Sequence, residues 1–313
     1  MSGAREEAAA VFTAQRGRLL SVAYRITGSV ADAEDAVQES WLRLERTDIG
    51  AIADLRAWLT TVVGRICLDR LRSAAVRRET YPGQWLPEPV VRPLSATAPA
   101  DPLDVVVRDE DSRLAVLVVL ERLTPDQRVA FVLHDGFGVP FGQIADTLGV
   151  SAAAARQAAA RARRRVAGAA PSVSSAQHAA AVTALVDALS SGDLAAVVAA
   201  LHPEATFAGD TGGTSPTAPN VIVGADRVAR YLLGLAGRYG AQRLLALTPV
   251  AVNGRAGLWH PGAPADPVGG RPPIAARVIA VTVAQGRVIA GYDMANPARL
   301  TGVRLTGLPG PHR

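Results

Sequence analysis

The sequence predicts a multidomain chain: two all-α helical domains, the second carrying a helix-turn-helix, followed by an α+β domain. Three observations predict it. Apolar residues recur at helical spacing in two blocks parted by a proline-rich stretch. Within the second block, a glycine joins a short apolar helix to an arginine-rich one. In the last third, alternating residues run between Asn-Gly and Gln-Gly turns. The boundaries that follow are 1–78 for the first helical domain, 79–107 for a linker and 108–168 for the second helical domain. A second linker covers 169–177, the α+β domain 178–295 and a tail 296–313.

In the first block, Gly28 ends one helix, and Ser29 with Asp32 three residues on caps the next. Ala33, Val37, Trp41 and Leu44 then fall on one stripe, which leaves Glu34, Asp35, Gln38 and Glu39 outside it as an acidic, solvent-facing patch. Acids in a first turn also suit the helix dipole. Glu45 to Asp54 reads as a loop. Asp54 caps a third helix whose apolar face runs from Leu55 to Leu71, with Thr61, Arg65 and Arg72 on the opposite side, followed by Arg77 and Arg78.

Prolines 82, 87, 89, 93, 99 and 102 then stop any helix. Within this stretch Trp85, Leu86, Pro87, Glu88 and Pro89 form an apolar strip that stays extended and loses little entropy on docking. Ordinary linkers are polar and small, so the strip reads as something meant to be gripped. Covering the first domain's own core is the other use open to Trp85.

Helix resumes from Val105 to Leu123 and again from Asp126 to Phe137. Ile144, Ala145 and Leu148 mark a short helix, Gly149 a sharp turn, and Ser151 the cap of the next helix. That helix carries Arg156, Arg161, Arg163, Arg164 and Arg165 with no acid between Ser151 and Arg165, the footprint of nucleic-acid binding. From His178 to Leu201 one or two helices break near Gly192. Strands follow in 242–252, 255–260, 274–283 and 287–294, joined in part by Asn253-Gly254 and Gln285-Gly286.

Composition bounds the function. The chain has 313 residues, 49% hydrophobic and 19% charged, which is globular composition with room for two or three cores. The net charge is +5, and all 33 basic residues are arginine. The single cysteine, Cys67, excludes an internal disulfide or a thiolate metal cluster and sits among apolar neighbours. The N-terminus lacks signal-peptide order and no apolar run reaches the roughly 18 residues that span a bilayer, so a cytoplasmic location is expected.

The stretches SVAYRITGSVADAEDAVQESWLRL and LRAWLTTVVGRICLDRLRSA resemble region 2 of extracytoplasmic-function (ECF) sigma factors. LTPDQRVAFVLHDGFGVPFGQIADTLGVSAAAARQAAARARRRV resembles their region 4. WLPEP and a C-terminal cone-shaped SnoaL-like domain resemble a subgroup in which that domain tunes the sigma factor in cis. The subgroup's Gly-rich motif is represented by Asp210, Thr211, Gly212, Gly213 and Thr214, without its final lysine. Its Asn-Pro motif is represented by Asn296, Pro297, Ala298, Arg299 and Leu300.

The resemblance implies a sigma factor that binds core RNA polymerase through Glu34, Asp35, Gln38 and Glu39. It implies that Thr61, Arg65 and Arg72 handle the −10 element and that the helix capped by Ser151 reads the −35 element. By docking geometry Arg156 and Gln157 would meet bases, and Arg161, Arg163, Arg164 and Arg165 would grip phosphates. The C-terminal domain would clasp Trp85 to Pro89 through Asp210, Gly212, Gly213, Asn296, Pro297 and Leu300. No enzyme, cofactor or metal is expected: Asp210, Asp293, His202 and His260 are the acid–base candidates and share no catalytic spacing. A small-molecule ligand of the last domain is open. So are two other classes, a stand-alone ligand-sensing regulator and a cyclase-like enzyme, though the first leaves the DAEDAVQES block without a role.

Overall fold

The computed structural model describes residues 2–79, 81, 84–94, 113–167, 173–218, 220–303 and 305. The linker prolines 82, 99 and 102, the helical expectation over 105–112, the side chains of Arg77 and Arg78 and the end of the tail lie outside the described residues. The chain divides into two compact units, one of residues 1–80 and 98–169, the other of 81–97 and 170–313.

The first unit gathers both helical blocks. Helix α1 (Ser2–Thr27) ends where Gly28 takes a positive φ of 68°. Ser29 then caps α2 (Val30–Glu45) by accepting the Asp32 N–H at 3.2 Å. The buried stripe of α2 is Ala33, Ala36, Val37, Ser40 and Leu44, while Trp41 is half-buried with its ring 5.0 Å from Phe12. The segment 45–54 contains a 3-10 turn, Ile49–Ala51, opened by Asp48. Asp54 caps α3 (Leu55–Glu79) through two backbone N–H groups. Leu59, Val63, Ile66, Cys67 and Leu68 of α3 are buried, and burial pushes the Cys67 thiol well up.

In the second block, α4 (Leu114–Leu120) is buried along nearly its whole length. Thr124 and Gln127 close a capping box at α5 (Pro125–Phe131). The helix expected through Phe137 widens into a π turn at Val132–Gly136. Leu133 of that turn is buried against Gly64 of α3, where a Cβ would sit 3.1 Å from the leucine. Helices α6 (Phe141–Leu148) and α7 (Ala152–Val166) meet at Gly149, whose φ is 69°. Ala155, Ala159 and Ala162 form the buried side of α7, so small residues let it lie close to α5 and α6. Arg128 and Glu121 make a buried bidentate pair at 2.9 and 3.0 Å, and Arg128 also donates to the Ile26 carbonyl at 3.0 Å.

The second unit is a seven-stranded sheet with helices. Its elements are β1 (Val91–Pro93), α8 (Ser175–Ser191), α9 (Leu194–Ala200), β2 (Leu201–Asp210), β3 (Ile222–Val223) and α10 (Ala225–Tyr239). They continue with α11 (Ala241–Leu244), β4 (Thr248–Val252), β5 (Arg255–His260), β6 (Arg277–Ala284) and β7 (Arg287–Met294). The strand order is β1-β4-β5-β6-β7-β2-β3; β2 and β7 run parallel and the other neighbouring strands antiparallel. Both expected hairpin turns form, with positive φ at Asn253 and Gly254 and at Gln285 and Gly286. The strand expected over 242–252 begins only at Thr248, because residues 241–244 close a helical turn. Leu185, Val197, Phe207, Val228 and Val288 build the core between helices and sheet.

Candidate functional site

The strip after Tyr81 belongs to the second unit and completes its sheet. Val91, Arg92 and Pro93 pair antiparallel with Val252, Ala251 and Val250, so the linker itself supplies the edge strand β1. An edge tolerates Pro93, which has no N–H to offer a ladder. Ahead of it, Leu86, Pro87, Glu88, Pro89 and Val90 are buried, and Trp85 is half-buried.

One carboxylate organises the contact. Asp210, at the end of β2, is 1% exposed and accepts from the Tyr81 hydroxyl, the Leu86 N–H (3.1 Å) and the Gly212 N–H (3.2 Å). Burial, together with the acceptor Asp210, pushes the Tyr81 phenol up to about 12. Asn296 Nδ2 donates to the same hydroxyl at 2.7 Å, while its Oδ1 caps the 3-10 turn Pro297–Arg299. Arg299 lies over Trp85, its Cζ 3.9 Å from the ring centre, with its Nε 3.7 Å from Asp210; Tyr81 meets the same indole edge-on at 4.7 Å. Gly212 has a φ of 58°, and a Cβ there would fall 2.5 Å from Asn296, so glycine is required on both counts.

At the far end of the strip, Asn253 accepts the Val90 N–H at 3.1 Å through its side chain and donates its own N–H to the Val90 carbonyl at 2.9 Å. Thr301 donates to buried Glu88 at 3.2 Å, and the Val91 N–H reaches the Gly302 carbonyl at 3.1 Å. The structure therefore brings Asp210, Gly212 and Asn296 to the strip. Gly213 and Pro297 are exposed in the flanking turns, and Leu300 is half-buried behind them. Tyr81 and Thr301 were not expected among the contacts, and the sequence offered Asn253 only as a turn residue and Arg299 only as a member of the Asn-Pro motif.

In the first unit, the face of α2 expected to be acidic is partly neutralised. Glu34, Asp35 and Gln38 are exposed and Glu39 half-buried, but Arg70 from α3 sits 3.3 Å from Asp32, 3.4 Å from Asp35 and 3.7 Å from Glu39. Glu39 also pairs with Arg43 at 2.6 Å. On α3, Thr61 bonds back to the Ala57 carbonyl. Arg65 donates to the Asp146 carbonyl at 2.8 Å, and Arg72 pairs with Asp126 at 3.0 Å, so both arginines engage the second helical block.

On α7, Ser151 accepts the Ala154 N–H at 3.2 Å as its cap. Ala153, Gln157, Arg161 and Arg164 recur at four, four and three along its exposed side, with Arg161 donating to Gln157 at 3.3 Å. Arg156 stands on the flank, 5.9 Å from the Phe141 ring. Arg163 is tied to Asp135 at 2.6 Å, and Arg165 donates to the Arg122 carbonyl at 3.2 Å.

Each acid–base candidate is taken up by a structural partner of its own, Asp210 by the strip. His260 donates through Nε2 to the Arg243 carbonyl at 2.8 Å and accepts the Gly262 N–H at Nδ1, 2.9 Å away; its pKa is lowered, chiefly by burial. His202 accepts the Glu204 N–H. Asp293 is buried and paired with Arg277 at 2.9 Å; burial raises its carboxyl against the pull of that arginine. Among the described residues no cluster suited to a metal ion is present, and no helix is long and apolar enough to cross a membrane.

Comparison with known proteins gives three concordant results. Sigma-70 region 2 matches residues 11–77 and Sigma-70, region 4 matches residues 113–166. The ECF RNA polymerase sigma factor SigJ of Mycobacterium tuberculosis is 54% identical over 298 residues, covering 94% of this chain and 93% of that protein. A probable ECF RNA polymerase sigma factor SigI of the same organism is 41% identical over 72% of this chain and 75% of its own length. The crystal structure of SigJ superimposes with a TM-score of 0.80 at 51% identity, covering 94% of this chain and 99% of that one.

Proposed function

Because the chain belongs to the ECF family of RNA polymerase sigma factors, a group of transcription initiation factors rather than enzymes, we propose that its C-terminal unit regulates promoter use by holding the linker strip. As a sigma factor the protein binds core RNA polymerase and directs it to promoter DNA. Region 2, matched over 11–77, also removes the stand-alone regulator, which has no use for that block.

The assignments to surfaces follow the same reading. The α2 face with Glu34, Asp35, Gln38 and Glu39 meets polymerase, with Arg70 setting its charge. Thr61, Arg65 and Arg72 serve the −10 element. On α7, Gln157 faces bases with Arg156 at the flank, while Arg161 and Arg164 grip phosphates, which fix position without specifying sequence. Arg163 and Arg165 join that grip once released from Asp135 and the Arg122 carbonyl. The protein works in the cytoplasm, where polymerase is, and the SnoaL-like C-terminal domain has room for a small molecule.

The observation that carries the regulatory reading is the buried web of Asp210, Tyr81, Asn296 and Arg299 around the strip. A clasp of this kind biases an equilibrium by its differential affinity for two arrangements of the chain. Run-off transcription with core polymerase tests it, comparing the full chain, a Trp85→Ala/Leu86→Ala variant and a truncation after Gly168. Both changes should alter output while the variant still binds polymerase. Equal output from all three would make the C-terminal unit inert.

A further inference from the structure

The second unit contains a cavity of about 80 Å³ between its sheet and helices α8, α10 and α11. Its wall is apolar, with Leu185, Leu232, Leu244 and Ile279, apart from the paired Arg277 and Asp293 and, three residues along the sheet from Asp293, Thr206. Asp293 is 3% exposed; its Oδ2 accepts from Arg277 Nη1 at 2.9 Å, and its buried Oδ1 has no hydrogen-bond partner among the described residues. A buried acceptor without a donor is costly, so this oxygen is a standing demand for one.

The chemistry of the wall selects what can meet that demand. A water on Asp293 Oδ1 satisfies that oxygen but leaves the apolar wall bare. An anion would face an unpaired carboxylate oxygen. A cation would leave water for a wall whose one carboxylate Arg277 already neutralises. A neutral hydroxyl on an apolar body satisfies both ends. An apolar cavity of roughly 150 Å³ holds benzene, so this one takes a hydroxyl and a few carbons. A longer tail would run among the half-buried Leu232, Leu235 and Leu244.

We propose that this cavity is a binding site for a neutral hydrophobic alcohol, whose hydroxyl donates to Asp293 Oδ1 while its carbon chain lies against the leucines. The site shares its strands with the clasp: Asp293 of β7 pairs with Gly209 of β2, one residue before Asp210. Binding is read without polymerase, so its failure would leave the sigma-factor reading untouched.

The test uses the full-length protein with a series of straight-chain primary alcohols and their methyl ethers, followed by saturation-transfer NMR. The alcohols should bind saturably and more tightly with each added carbon, and each ether should bind about ten-fold more weakly, one lost hydrogen bond's worth. Leu232→Trp, at a half-buried position lining the cavity, should abolish binding with the circular dichroism spectrum unchanged. Asp293→Asn, where it folds, should erase the alcohol's advantage over the ether. Absence of saturable binding, equal binding of alcohol and ether, or unchanged binding in folded Leu232→Trp protein would each overturn the proposal.

Discussion

Asp210→Ala should loosen the strip without unfolding the sheet. The carboxylate accepts from two strip donors, the Tyr81 hydroxyl and the Leu86 N–H, and lies beside Arg299. Hydrogen bonds to a charged group are each worth roughly 1.5–3 kcal/mol, so their gross loss is about 3–6 kcal/mol. Water entering the gap returns part of it, which leaves about 3 kcal/mol, or roughly a hundred-fold in the opening equilibrium. The readout is native-state hydrogen exchange at the Val90 and Val91 amides, which bond to Asn253 and Gly302 and never touch Asp210. Their exchange should quicken about a hundred-fold, while the β6 amides change little, since strip opening is a local event. Protection of Val90 and Val91 within about three-fold of the parent would show that Asp210 does not hold the strip. Equal loss at β6 would show that it holds the whole unit instead.

His260 gives a pH test. The unfolded imidazole takes up a proton as pH falls below its ordinary value of 6.5, while the buried one resists, so stability should decline with acidification below that point. The fall in urea midpoint between about pH 7.5 and about pH 5.5 should shrink in His260→Asn, and an unchanged fall would assign the effect elsewhere. On α7, Arg161→Ala should weaken binding to duplex promoter DNA across sequences and reduce the salt slope by about one, whereas Gln157→Ala should relax sequence preference, both read by fluorescence anisotropy. Asp126→Asn should free Arg72 and raise affinity of the polymerase-bound protein for −10 DNA by no more than about five-fold, since an exposed pair contributes under ~1 kcal/mol. That gain should vanish when Arg72→Ala is added.

Local signals carried much of the architecture. Ser29, Asp54 and Ser151 cap the helices they were expected to cap, because a short oxygen-bearing side chain before an apolar period leaves few other uses. The Asn253-Gly254 and Gln285-Gly286 turns were visible for the same reason, since few residues accept positive φ. Several elements were not legible, β3 and α11 among them, and three others show why. Strand β2 contains Pro203 and carries a register shift between Leu201 and Thr206, so its alternation is broken where a reader would look for it. Helix α10 follows Gly224 with no side-chain cap. Strand β1 is three residues of a proline-rich linker that become a strand only because β4 offers an edge. Arg299 was hidden differently: nothing in the sequence says that a surface-type cation will be buried over Trp85, a fact set by the 3-10 turn that Asn296 caps.

The two sets of grips differ in strength for a physical reason. Arg72 meets Asp126 with both side chains about half exposed, and Arg65 reaches a carbonyl from an exposed position, so water and salt compete for each contact. On the proposed reading of Arg65 and Arg72 as −10 contacts, promoter phosphates would offer them a denser field of charge and need displace only weak partners. The strip is held by a carboxylate almost wholly out of water, with donors on three sides, an edge strand and a stacked arginine. Breaking one member there leaves the others unpaired in a dry site, which makes release cooperative rather than gradual. A graded, salt-sensitive release of the helical contacts and an abrupt release of the strip are therefore expected within the same molecule.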